Sequence, residues 1–310
     1  MRIAVFDDYQ RVFTSLEAAK KLQGHEVVTF SDVVRTPAEI AARLEGFDAV
    51  VLTQQRTAFP RAVVDALPAS LKLICQTGRS TTHLDVEACA ARGIEVMLGG
   101  QGDPSAPAEL TWALILASRR HVVTEVNALR EGTWQTTLGT GLAGQTLGVW
   151  GFGRIGARVA EVGRAFSMRV VCFGREGSAT RAKAAGFEVA PSRAALLQES
   201  DVLTLHLPLN EQTRGLVTLA DLKQLKPTAL LVNTSRAGLI SPGALEAALD
   251  AGTPGFAALD VFDEEPTPRE LSLLKRPNVL ATPHLGYVTR ATYEHYYQST
   301  LAPLAGRGPG

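Results

Sequence analysis

The chain has 310 residues, enough for about two domains of ordinary size with a large buried core. Its 31 basic and 31 acidic residues balance, so no global field draws it to nucleic acid or to an anionic membrane surface. The cysteines, Cys75, Cys89 and Cys172, are odd in number and lack C-x-x-C spacing, so no disulfide framework and no metal site is expected, and a reducing cytoplasm fits best.

The N-terminus, MRIAVFDDYQ, enters a strand directly, without a charged segment, a long apolar run and a cleavage signal. Apolar runs at Ile3 to Phe6, Val27 to Phe30, Ala49 to Leu52, Leu71 to Cys75 and Ile94 to Leu98 have strand length, with helical segments between them. Two of these helices carry capping-box starts, Thr14 with Glu17, and Thr36 with Pro37 and Glu39. Their ends fall at Gly24 and Gly46. This alternation predicts a parallel sheet covered on both faces, a first domain of flavodoxin-like type.

GGQGDPSAP, from Gly99 to Pro107, breaks the pattern and marks a linker or hinge. A helix is expected from Ala108 to Arg120, ending in Arg119-Arg120-His121, a basic spot that reads as a solvated helix end. Within it, the apolar stretch Trp112 to Ala117 is far too short to cross a bilayer. A second helix, Thr124 to Glu131, leads into a polar arm or loop, Gly132 to Gly144.

The stretch from Thr146 to Arg175 then reads strand, Gly151-Phe152-Gly153-Arg154-Ile155-Gly156, helix, strand. In that βαβ setting, G-x-G-x-x-G is a dinucleotide fingerprint. The first glycine makes the tight turn, the second admits the pyrophosphate, the third lets helix and strand pack, and the helix N-terminus faces the anion. Further strands follow at Val202 to Leu207, Ala229 to Asn233, Phe256 to Val261 and Val279 to Thr282, with helices at Ala194 to Glu199 and Pro242 to Ala251. About six strands from Leu147 onward suffice for a doubly wound sheet. The closing helix, Arg290 to Leu301, carries Tyr293, Tyr296 and Tyr297 and is expected to dock on the first domain.

Ligands of open α/β sheets bind beyond the carboxyl ends of the strands. Arg236 follows one late strand, Asp260, Glu264 and Glu265 lie on and after the next, and His284 follows the last. Beside a nicotinamide, such a set suits hydride transfer at a hydroxylated carbon. The arginine clamps a carboxylate and polarises a carbonyl, and the histidine exchanges the hydroxyl proton while a carboxylate orients its ring. Each residue alone reads as a surface charge or a satisfied histidine; their joint placement in a sheet with a dinucleotide loop reverses that balance.

In this order and spacing, GFGRIG, HLPLNEQTRGL, LLVNTSRAG, ALDVFDEEP and TPHLG resemble the D-isomer-specific 2-hydroxyacid dehydrogenases, over nearly the whole chain. That family includes phosphoglycerate dehydrogenase and glyoxylate/hydroxypyruvate reductase. The resemblance implies an oxidoreductase that moves a hydride between NAD(P)H and a 2-keto acid or D-2-hydroxy acid, with Arg236, Glu265 and His284 catalytic. It implies cofactor contacts from Gly151, Gly153, Arg154, Ile155, Gly156, Gly174, Arg175, Leu207, Pro208, Thr213, Thr234, Asp260 and Gly286. It also implies a homodimer built through the dinucleotide domain. That domain, 102–285, would be inserted in a discontinuous flavodoxin-like substrate domain, 1–101 with 286–310, with a hinge near Gly99 to Pro104. The chain ends soon after its last helix, so an appended regulatory domain is not expected.

Two departures bear on specificity. The acidic residue that binds the ribose hydroxyls of NAD in the family falls on Gly174, followed by Arg175, with Arg181 close by; this predicts NADPH preference, unless Arg175 only stacks on adenine. The family's glycine-rich substrate loop, ending in D-N-x-D, reads Gly78-Arg79-Ser80-Thr81-Thr82-His83-Leu84-Asp85 after Thr77. Thr77, Gly78, Arg79 and Ser80 are the expected substrate contacts there. Arg79 either selects a more acidic substrate or points to solvent, and Tyr287, where the family has small residues, narrows the pocket. Other readings are a formate dehydrogenase-like enzyme, which Glu265 opposes, and a non-catalytic NAD(P)-sensing corepressor-like protein.

Overall fold

Runs of apolar residues without polar alternation suit strands buried on both faces, and every strand pairing among the described residues is parallel. The computed structural model describes residues 1–100 and 102–304. Gln101 of the expected linker and residues 305–310 of the expected closing segment lie outside them. The chain divides into two units, one comprising Met1–Asp103 and the segment from Val288, the other Pro104–Tyr287.

The first unit runs β1 (Arg2–Val5), β2 (Glu26–Thr29), α1 (Pro37–Arg43), β3 (Ala49–Leu52), α2 (Arg61–Ala66), β4 (Leu73–Gln76), α3 (Val86–Ala91) and β5 (Glu95–Leu98). Its sheet has the flavodoxin-like order β2-β1-β3-β4-β5. Ala4, Phe6, Val50, Leu52 and Ile74 pack on one face against Ile40, Phe59 and Val63. The C-terminal helix, Arg290–Leu301, belongs to this unit. Its Tyr297 is buried, donates or accepts at the Thr53 hydroxyl at 2.8 Å, and meets Phe13 edge-on at 4.9 Å.

Two local readings differ here. Thr36 forms the expected capping box with Glu39. Thr14 caps nothing, and its expected helix is instead two 3-10 segments, Phe13–Ser15 and Glu17–Leu22. Carboxylates from elsewhere take the amides a cap would have held. Asp8 accepts from Val12 N at 2.9 Å and Phe13 N at 3.2 Å, and Glu294 accepts from Glu17 N at 2.8 Å and Ala18 N at 2.9 Å.

The second unit opens with α4 (Ser105–Arg119), which begins inside the expected linker, and α5 (Val122–Arg130). The arm 132–144 has no helix or strand. Then come β6 (Thr146–Trp150), α6 (Arg154–Ala165), β7 (Arg169–Phe173), α7 (Glu176–Ala184), β8 (Glu188–Val189), α8 (Arg193–Glu199) and β9 (Val202–Leu205). The unit closes with α9 (Leu219–Leu222), β10 (Leu230–Asn233), α10 (Ala244–Asp250), β11 (Phe256–Leu259) and β12 (Val279–Ala281). The sheet has seven strands, in the order β12-β11-β10-β9-β6-β7-β8; the extra one, β8, is two residues long and leaves no apolar run to read. Alternate residues feed two cores. Leu230 and Val232 pack with Leu147, Val149 and Trp112 on one face, and Leu231 with Leu203, Leu205 and Leu245 on the other. α10 starts after Gly243, in the left-handed region and without a side-chain cap, while the Ser241 hydroxyl donates to Gly215 O at 2.9 Å. Among the described residues no helix is long and apolar enough to cross a membrane.

Arg119 is not a solvated helix end. It is 5% exposed, and its guanidinium donates to Thr228 O at 2.9 Å and to Asp201 O, tying α4 to the segments that lead into β10 and β9. A buried charge is tolerable because two carbonyls receive it. Replacement by methionine keeps the stem, strands Thr228 O and leaves Asp201 O with the Leu230 amide alone. Arg119→Met is therefore expected to cost roughly 2–4 kcal/mol, read as a lowered midpoint of urea unfolding.

Candidate active site

β6 ends where the strand order reverses, between β9 and β7, and the glycine loop occupies that switch point. Gly151 has φ +105, and a side-chain Cβ there would lie 2.4 Å from His206 O. A Cβ on Gly156 would lie 2.1 Å from Gly151 O, so these two glycines are required by backbone approaching backbone. Gly153 differs: a Cβ there would meet nothing within 4 Å among the described residues. The fold leaves this position open, as the approach of a pyrophosphate requires. The N–H groups of Gly153, Arg154, Ile155 and Gly156 have no intramolecular acceptor among the described residues and stand at the positive end of α6. Gly153 and Arg154 are exposed and Ile155 is half-buried.

At the end of β7, a Cβ on Gly174 would lie 2.7 Å from Ser178 Oγ, which accepts from Phe152 N at 2.7 Å. Arg175 is exposed and its Nη1 donates to Gln212 Oε1 at 3.4 Å, while Arg181 is turned back to donate to Phe152 O at 3.1 Å. Past β9, burial pulls His206 down to about 4, so its ring is neutral, and Nε2 pairs with Thr204 Oγ1 at 2.9 Å. Leu207 is half-buried and Pro208 exposed, and the Thr213 hydroxyl donates to Pro208 O at 2.6 Å, holding the turn that carries them.

The ends of β10, β11 and β12 carry the polar set. Asn233 donates from Nδ2 to Arg236 O at 2.9 Å and accepts from Ser235 N at 3.1 Å, so a buried amide shapes the turn that presents the exposed Arg236. Thr234 shares a hydroxyl hydrogen bond of 2.8 Å with Thr111 of α4. Asp260 is fully buried. It accepts from Thr282 Oγ1 at 2.6 Å, Leu285 N at 2.7 Å and Gly286 N at 2.9 Å. Burial pushes its carboxyl up despite those donors and the nearby His284. The same bonds grip the residues after His284, whose own backbone is left-handed at φ 52, a conformation that persists only when its surroundings hold it.

Glu265 and His284 meet, Oε2 to Nδ1, at 2.5 Å. Glu265 also accepts from Phe262 N at 2.9 Å through its other oxygen. Burial raises the Glu265 carboxyl, but the bond and charge of His284, the Phe262 amide and the charge of Arg236 outweigh it, and the net shift is downward. The carboxylate therefore stays charged at pH values where an ordinary glutamate is already protonating, and its hold on His284 is lost only as pH falls below that. Tyr287 stands edge-on to the His284 ring at 5.4 Å. Arg236, Glu265 and His284 are thus brought within one electrostatic neighbourhood, and Glu264 is exposed, as Glu265 is.

In the first unit, the loop after β4 has its own geometry. Thr77 is buried and fully engaged. Its N and Oγ1 both donate to Leu52 O at 3.0 Å, and Oγ1 accepts from Gln54 N at 2.6 Å, so it anchors the loop and has no donor to spare. Gly78, at φ +83, turns the chain beneath Gln54. Arg79 is exposed, and Ser80 Oγ lies 3.2 Å from Thr82 Oγ1. The N–H groups of residues 78–82 have no intramolecular acceptor among the described residues. Such a run of unpaired amides is a ready anion site.

Sequence reasoning missed Ser178, Gln212 and Asn233. A hydroxyl one helical turn beyond Gly174 was the available signal for Ser178; for the other two nothing local distinguished them from ordinary polar residues.

The family model described as "D-isomer specific 2-hydroxyacid dehydrogenase, NAD binding domain" matches residues 112–286. A glyoxylate reductase of Aeropyrum pernix is 42% identical over 231 residues, covering 72% of this chain and 69% of that one. A D-3-phosphoglycerate dehydrogenase of Methanocaldococcus jannaschii is 35% identical over 256 residues, 82% of this chain and 48% of that longer protein. The crystal structure of a phosphoglycerate oxidoreductase from Vibrio cholerae superposes with a TM-score of 0.95 at 44% identity, covering 98% of both chains.

The two kinds of glycine in the loop separate experimentally. Gly153→Ala is expected to leave the melting temperature unchanged while weakening NAD(P)H binding, measured by fluorescence titration, by about tenfold or more; Gly156→Ala is expected to lower the melting temperature itself.

Proposed function

The chain belongs to the D-isomer specific 2-hydroxyacid dehydrogenases, and from that premise we propose that it is an NADPH-preferring, homodimeric reductase of small 2-keto acids, of glyoxylate or hydroxypyruvate type. The transfer of a hydride between a nicotinamide dinucleotide and the 2-keto/2-hydroxy acid pair is the family's reaction and this chain's. The observation that carries the residue assignment is the 2.5 Å Glu265–His284 bond beside the charge of Arg236.

The bound dihydronicotinamide supplies the hydride. With Nδ1 committed to Glu265, His284 has Nε2 left to donate a proton to the carbonyl oxygen during reduction and to take it back during oxidation. Glu265 keeps the ring oriented through the Nδ1 bond. Arg236 pairs with the substrate carboxylate and polarises the carbonyl. Asp260 fixes the His284 turn through Leu285 and Gly286, and lies where the family's residue faces the nicotinamide amide. In the first unit, the unpaired amides of residues 78–82 are donors for a substrate carboxylate, and Arg79, exposed beside them, favours an acidic one. A dinucleotide sensor without turnover would have no use for the short carboxylate–imidazole pair, and a formate-oxidising site does not call for Glu265. Three buried, unbridged cysteines suit a reducing cytoplasm.

NADPH preference rests on Arg175. It is exposed at the helix start that follows Gly174, no carboxylate stands at position 174 to repel a 2'-phosphate, and Ser178 is adjacent. A panel of 2-keto acids assayed with both dinucleotides tests this. Glyoxylate or hydroxypyruvate should turn over, with higher kcat/KM for NADPH; Arg175→Ala should lose about tenfold with NADPH and little with NADH. A clear NADH advantage in the wild type would sink the assignment.

The homodimer rests on the arm. Trp134 is 74% and Leu138 93% exposed, next to exposed Val122, Val123, Val126 and Leu129 of α5. The arm is nevertheless held, because Glu125 accepts from Thr136 N at 3.2 Å, Thr136 Oγ1 at 2.8 Å and Thr137 Oγ1 at 2.6 Å. A fixed apolar surface of this kind suits a second copy of the chain. Sedimentation velocity should show a dimer for the wild type and a monomer for Trp134→Ser/Leu138→Glu; a monomeric wild type would remove this part of the reading.

A further inference from the structure

Gln76 ends β4 with its side chain wholly buried. Its Nε2 donates to Gln54 O at 2.9 Å and to Thr77 O at 2.8 Å. Both bonds require the nitrogen on that side, so Oε1 is the atom that faces His83 Nε2, at 3.0 Å. A carbonyl oxygen only accepts; His83 Nε2 therefore carries the hydrogen and Nδ1 carries the lone pair. That Nδ1 is buried with no hydrogen-bond partner among the described residues, and burial brings the ring down to about 4, so the imidazole is neutral and its tautomer single.

His83 is also where the amide-bearing loop ends. Its carbonyl accepts from Phe59 N at 2.7 Å, and two residues on, Asp85 caps α3 by accepting from Ala88 N at 2.8 Å. Gln54 holds the opposite end, donating from Nε2 to Thr77 O at 3.1 Å. One carboxamide, Gln76, thus joins the segment after β3, the start of the loop at Thr77 and its finish at His83. Between those two anchors lie residues 78–82, whose amides have no intramolecular acceptor among the described residues. Neither ring nor carboxamide belongs to the set assigned to chemistry. Loose ends would let those amides scatter, and a ligand that needs them converged would bear the cost of ordering them.

We propose that the Gln76–His83 hydrogen bond is a positioning device that preorganises the 78–82 amides for the substrate carboxylate, setting affinity for the 2-keto acid without touching it. The proposal rests on the reading of that loop as the carboxylate site. The pair acts on binding and not on the proton or hydride steps, so its removal should separate KM from kcat.

The test uses the full-length enzyme with glyoxylate or hydroxypyruvate. In His83→Leu, KM for the keto acid is expected to rise about tenfold, the loss of one hydrogen bond's worth of ordering, with kcat and NAD(P)H affinity held within about twofold. His83→Gln, which can still donate to Gln76 Oε1, should restore KM to near the wild-type value. Unchanged KM in His83→Leu, or a fall in kcat that His83→Gln does not rescue, overturns the proposal. Should His83→Leu melt below the assay temperature, His83→Gln alone still decides it, since a raised KM there contradicts the rescue. Ser80→Pro separates the two readings by removing one unpaired amide. If Ser80→Pro raises KM and His83→Leu does not, the loop reading stands and the positioning device falls. If neither changes KM, both fall.

Discussion

Backbone meeting backbone at the switch point of the second sheet is the constraint on which that unit's site depends. β6 and β9 are neighbours there, and Gly151, Gly156 and His206 come closer than any side chain would permit. Because all seven strands are parallel, every carboxyl end lies on one edge, and the residues just past each strand are delivered to the same side. The dinucleotide loop, the Arg236 turn, Asp260 and His284 are consequences of that edge. None of them is adjacent to another in sequence.

Rigidity at the edge comes from buried polar side chains that do no chemistry of their own. Asn233 shapes one turn, Asp260 the other, and Thr213 a third. Their hydrogen bonds pair main-chain groups just past the strands, and so each acts twice, stabilising the strand end and fixing the direction of the residue beyond it. The left-handed backbone of His284 is held by this framework, which lets a short contact with Glu265 form without a helix or strand to carry it. The first unit uses the same device with different residues, Gln76 and Thr77 serving the loop after β4.

Much of this was legible beforehand. Most strands fell within two residues of their expected bounds, because an apolar run between turn residues leaves a parallel sheet few alternatives. The Thr36 capping box formed, while the Thr14 one did not, since Glu294 takes the Glu17 amide, and no local pattern can announce a carboxylate nearly 280 residues away. Arg119 was misread for a similar reason. A helix-end arginine looks solvated until the sheet beside it brings two carbonyls into reach.

The sequence by itself determined the class of the protein: two alternating α/β halves, a G-x-G-x-x-G loop between a strand and a helix, and arginine, glutamate and histidine placed just past successive strands. Periodicity and glycine spacing suffice for that, since both are local properties of the chain. Tertiary structure alone decided which of those residues act together. Glu265 and His284 are 19 residues apart, and only the parallel pairing of β11 with β12 brings them to 2.5 Å; His83 finds Gln76 only because the loop after β4 folds back on its own strand. Hydrogen bonds are short and directional, so register and turn geometry settle what composition leaves open.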